Sequence, residues 1–214
     1  MLKRQGIRGD TLIEVLFAIT IFSLVVVATL SLMNQGSSAA RRSVEMSLVR
    51  EQIDGQAETL RFLHESYVAS YKSGVTYAAS DTSPAAQYYR IIDRVKATNR
   101  QNATPFGDIA TCPASTPSGG FMVNPRTATL VTTAANMVPA SSGYAQLTFS
   151  NNNATVTSKG IWIEGVRTAQ ETSTTSLTRN AGYIDYYIRA CWAAPGLEKP
   201  LTMGTIVRLY EPRG

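Results

Sequence analysis

Between Val15 and Met33, nineteen consecutive residues carry no charge, and only Thr20, Ser23, Thr29 and Ser31 interrupt the apolar side chains. At about 1.5 Å of rise per residue, a helix over this run covers roughly 28 Å, close to the ~30 Å hydrocarbon thickness of a bilayer. One carboxylate, Glu14, lies in the first turn. On insertion scales an acid costs about 2.5–3.5 kcal/mol near the bilayer centre and less near an end, where the positive end of the helix dipole relieves part of the penalty. A charge kept there marks a functional position, with an opposite charge brought to it.

Three plain readings of the run compete. A secretory signal peptide has a basic start, as here, but an apolar region of only about 7–15 residues followed by a small-residue cleavage site, which Ser38 and Ala40 imitate. The helical pattern continues straight through that point. Val44, Leu48, Ile53, Leu60, Leu63 and Tyr67 recur near i, i+4, i+7 spacing, with Arg50, Glu51, Glu58 and Arg61 among the intervening positions. An ordinary membrane anchor and a buried core helix are the other two readings, and neither accounts for Glu14.

A short leader bearing Lys3, Arg4 and Arg8 and ending in Gly9, then Thr11-Leu12-Ile13-Glu14-Val15-Leu16 and a long apolar helix, closely resembles the N-terminus of type IV pilin-like proteins. That resemblance covers roughly the first thirty residues. It implies cleavage between Gly9 and Asp10 by an inner-membrane prepilin peptidase and methylation of the new amine on Asp10. Assembly then proceeds through the helix that begins Asp10, Thr11, Leu12, with the Glu14 carboxylate meeting the N-terminal amine of a neighbouring subunit. Asp10 departs from the family pattern, where phenylalanine is usual, and sets a second carboxylate beside the amine. Major pilins commonly carry a kinking proline where this chain has Ser31, and no proline precedes Pro84. The segment is more similar to V-type minor pilins and I-type pseudopilins, and retention of Glu14 argues against the K-type tip pseudopilin.

The resemblance implies the α+β pilin-like fold, a long N-terminal helix packed on an antiparallel sheet, and the rest of the chain fits that class. The expected organisation is a leader over 1–9, a membrane-spanning assembly helix over 10–34, its amphipathic continuation over 35–72 and a globular head over 73–214. The helix is expected from about Thr11 to Tyr71, with Gly36 and Gly55 either hinges or tolerated surface glycines. Ser83-Pro84 reads as an N-cap and first helical proline opening a second helix through Tyr88, Ile91, Ile92 and Val95. After a polar, turn-rich stretch come strand candidates at Phe121–Asn124, Ala145–Phe149, Ile161–Arg167, Tyr183–Trp192 and Thr205–Tyr210. A helix first and antiparallel strands after is the α+β order.

The net charge of +5 falls to +2 without the leader's three cations, so the basic balance is poor evidence for nucleic acid as a direct partner. Two cysteines show no metal-ligand spacing and leave one bridge or none. If the head is exported, as the resemblance implies, Cys112 and Cys191 are expected to pair, unpaired buried thiols being the other outcome. His64, the only histidine, lies on the amphipathic helix and reads as solvated or packed. Asp108 and Asp185 lack the oxygen-ligand series of a calcium loop, and the sequons at Asn102 and Asn153 are matches that chance supplies. The aromatics of Asp185–Trp192 read as a sheet face on the core or, less simply, as an adhesive patch. No catalytic residue, metal site or cofactor is expected.

The functional expectation is a minor pilin held in the cytoplasmic membrane with its head outside until it enters a surface filament. Its expected partners are other pilin subunits, the peptidase, the inner-membrane assembly platform and, before assembly, lipid. A pseudopilin of a type II secretion or competence system is the nearest alternative. A membrane-anchored surface binding module or enzyme is the alternative of another class.

Overall fold

The computed structural model describes residues 10–107, 109–138, 143–150, 152, 155–168, 182–194 and 196–212. Residues up to Val44 and residues from Glu45 onward form two separate compact units. Helix α1, Asp10–Ser70, contributes to both. It runs unbroken through Gly36 and Gly55, where an added Cβ would meet nothing within 4 Å, so packing does not require glycine at either position.

In the second unit, α1 buries Val49, Ile53, Gln56, Leu60, Leu63 and Tyr67. Steps of four and three residues keep these side chains on one stripe. The expected face is corrected at its start: Val44 is 59% and Leu48 37% exposed, while Val49 is buried. Gln56 is polar yet fully buried, because its amide exchanges two hydrogen bonds with the backbone of Val123 (2.7 and 3.0 Å) and so satisfies a strand edge.

Helix α2, Pro84–Thr98, is opened by Ser83, whose hydroxyl accepts from the Ala86 amide at 3.3 Å, and closed by Asn99 in the left-handed conformation (φ 45°). It buries Tyr88, Ile91, Ile92 and Val95. The strands that follow are β1 Met122–Asn124, β2 Thr129–Val131, β3 Met137–Val138, β4 Gln146–Phe149, β5 Val156–Lys159, β6 Ile161–Thr168, β7 Tyr183–Trp192 and β8 Leu201–Tyr210. They form three sheets, ordered β1-β2, β3-β5-β4 and β6-β7-β8. Every pairing is antiparallel except the two-residue parallel contact of β3 with β5.

The β6-β7-β8 sheet is the frame of the head. The Phe121–Ile163 bridge (3.0 and 2.7 Å) ties the start of β1 to the free edge of β6. Helix α2 lies close on β6: a Cβ on Gly165 would stand 2.4 Å from Cγ2 of Val95, so the contact admits only glycine at that position. The core between helices and sheet includes Leu60, Ile91, Phe121, Ile163, Tyr186 and Ile188. Relative to the sequence, β8 begins four residues earlier than Thr205, and β2, β3 and β5 are additional strands.

Candidate functional site

In the first unit, α1 is exposed all around. Fifteen large apolar side chains from Leu12 to Met33 are exposed, Phe22 at 70% and Met33 at 73%. Burying a Val, Leu, Ile, Phe or Met side chain gains about 1.5–3 kcal/mol, so this surface represents roughly 20–45 kcal/mol of unrealised burial. An exposed apolar surface of that size is far beyond the scattered apolar residues of an ordinary protein surface. By length and composition the segment suits a membrane anchor or a signal sequence.

Three of the four hydroxyls within the run do not obstruct such burial. Thr20 donates to the Phe17 carbonyl, Ser23 to Ile19 and Thr29 to Val25, each at 2.8 Å. A polar group satisfied by its own helix carries little further cost into hydrocarbon. Glu14 is different. It is exposed and has no ion pair or hydrogen bond among the described residues. One free carboxylate on a run whose other polar side chains are uncharged hydroxyls, three of the four satisfied by their own helix, is the chemically distinctive feature of this surface.

Leu12 is exposed beside it, and Asp10 and Thr11 form the first residues of the helix. Gly9, on which the expected cleavage turns, lies outside the described residues, as do Asp108 and Asn153. The side chains of Asp10 and Thr11 also lie outside them.

Within the head, Cys112 and Cys191 are joined in a disulfide (Cα–Cα 5.7 Å) that closes a loop of 79 residues. On chain-entropy grounds such a closure stabilises the fold by about 4.5 kcal/mol. His64 is packed: its ring stands edge-on to Tyr88 with centroids 5.3 Å apart, and Nε2 lies 2.9 Å from the Tyr210 carbonyl. Asp185 is held bidentately by Arg208 (2.7 and 2.8 Å), which engages both its oxygens. The aromatics of β7 divide, with Tyr186 and Trp192 fully buried and Tyr183 and Tyr187 half-buried. Among the described residues no group of three or more metal-ligating side chains converges.

Sequence reasoning missed a buried ionic cluster. Glu164, 1% exposed, receives Trp162 Nε1–H at 2.9 Å and Arg189 at 3.1 Å on Oε1, and the Thr104 amide at 3.0 Å on Oε2. Arg100 stands 3.5 Å from Oε2. Arg189 also donates to the Thr104 carbonyl at 2.6 Å and lies over the Phe106 ring. Burial draws the Arg189 guanidinium below its usual range, and Glu164 opposes that shift. The cluster pins the turn-rich segment after α2 to β6 and β7, which is why β6 is buried on both faces along most of its length. These contacts tie the segment, β6 and β7 into one hydrogen-bonded network within the head.

Compared with known proteins, the chain matches no family model, no curated protein and no solved structure.

Proposed function

We propose that this chain is a minor subunit of a type IV pilus, cleaved after Gly9 and incorporated through α1. The observation that carries the reading is Glu14: a free carboxylate four residues beyond Asp10, at the start of a span that is otherwise uncharged through Met33. The N-terminal amine created by cleavage supplies the missing charge, presented by a neighbouring subunit in a low-dielectric helix bundle. The disulfide suits a head on the oxidising side of the membrane. In this reading the chain works by assembly. Apolar burial between helices holds subunits together, and the Glu14 pair fixes their placement.

The test is Glu14→Ala. Leader cleavage and membrane insertion should persist, because removing an intramembrane charge eases insertion. Incorporation should fail, since an amine buried without its partner costs on the order of 3–5 kcal/mol, a hundredfold or more in recruitment. Glu14→Gln should fail likewise, as it keeps shape without charge. Asp10 offers a substitute carboxylate, so the double change with Asp10→Ala is the complete test, read as subunit abundance in sheared filaments. Wild-type abundance in the double variant refutes the reading. Motility and DNA uptake scored against protein secretion in a deletion strain assign the machine.

A further inference from the structure

Along the head portion of α1, acids follow arginines at a fixed distance: Asp54 lies four residues after Arg50, and Glu65 four after Arg61. At about 100° per residue all four side chains fall within an arc of roughly 60°. All four are exposed. Arg50, Asp54 and Glu65 have no partner among the described residues, and Arg61 reaches only the exposed Glu58, one turn back. The order runs against helix self-stabilisation, since an acid placed N-terminal to the base at i,i+4 is the better arrangement. Arg41 and Glu45 repeat the spacing, but Glu45 is engaged by Trp192 Nε1 at 3.2 Å and is left aside.

A displacement of four residues turns this face into its own complement. We infer that the exposed α1 face of the head docks a second copy of this chain, parallel and shifted by four residues, about 6 Å. Arg50 of one copy then meets Asp54 of the next, and Arg61 meets Glu65. The inference rests on the assembly reading above and deepens it, because the same shift sets an amine on Asp10 level with Glu14. Glu51 and Glu58 border the face and make it acid-rich, which leaves each arginine with several carboxylates to choose from in an unshifted pairing. The four-residue shift alone matches both arginines at once without using Glu58.

Two differently tagged full-length copies expressed together test this, one carrying Arg50→Cys and the other Asp54→Cys, and a second pair carrying Arg61→Cys and Glu65→Cys. Mild oxidation in cells should crosslink both pairs roughly threefold above the unshifted controls, Arg50→Cys with itself and Arg61→Cys with itself, the excess that the one exposed pair left intact in each case supplies. Arg50→Glu should reduce recovery of a tagged second copy, and Arg50→Glu combined with Asp54→Arg should restore it. Equal or stronger crosslinking in the unshifted controls, absence of any crosslink, or no rescue by the reversed pair overturns the shifted contact. Dependence of filament incorporation on Glu14 alongside any of these results would leave the assembly reading standing.

Discussion

Replacing Glu164 by alanine removes the acceptor at the centre of the head's buried cluster. Arg189, its side chain only 7% exposed, is left charged without its carboxylate, while Arg100, at 20%, retains access to water. Breaking one member of a buried ion pair costs about 3–5 kcal/mol. The Trp162 and Thr104 N–H groups also lose their acceptor. With a urea dependence of about 1–3 kcal/mol per molar, the unfolding midpoint of the mature chain in detergent should fall by about 2 M. Trp162 and Trp192 are the only tryptophans, so emission follows the head directly, and Trp162 reports on the cluster itself. Glu164→Gln keeps one carbonyl acceptor and should lose less, about 1–3 kcal/mol. The double change Glu164→Leu with Arg189→Met removes both charges and should regain more than half of the alanine loss. A loss below about 1 kcal/mol for Glu164→Ala, or a double variant worse than the single one, refutes the assignment of the cluster as a buried, mutually dependent network.

Two further outcomes follow from the packing. Gly165→Ala should destabilise the head by about 1–3 kcal/mol in the same urea titration, and Val95→Ala in the same chain should relieve part of that loss because the clash is with the Val95 methyl. Burial pushes the Tyr88 and Tyr186 phenols above their ordinary value and pushes Tyr67 up to about 12. A raised folded pKa favours the neutral form, so this stability is present in full below about pH 10 and is lost as pH rises through the folded values, by about 1.4 kcal/mol per pH unit for each of the deeply buried Tyr88 and Tyr186 and by less for Tyr67. Phenolate absorbance should therefore appear in two stages, the late stage coinciding with loss of the head's tryptophan signal.

The features legible in the sequence are those written locally. The apolar run, the Ser83-Pro84 helix start and the places of β6 and β7 each depend on neighbours within a few residues, and each is found where the sequence indicates. The cluster around Glu164 was not legible, because its partners come from Thr104, 60 residues earlier, and Arg189, 25 residues later. Gln56 breaks the apolar stripe in the sequence, yet the structure buries it against Val123, 67 residues away. The face of α1 differs from the sequence reading at Val44 and Leu48 because neighbouring stripes share one spacing, and only packing into the core selects Val49. The short strands β2, β3 and β5 hold two to four residues each and owe their existence to pairing, not to any pattern of their own.

The central claim concerns the N-terminus, where the free carboxylate awaits an amine. Intact mass and N-terminal sequencing of the chain recovered from sheared surface filaments test it most directly. The account predicts a chain that begins at Asp10 and carries a methyl group on its amine. A chain that begins at Arg41, or one that keeps Met1 and the leader in the filament fraction, contradicts it.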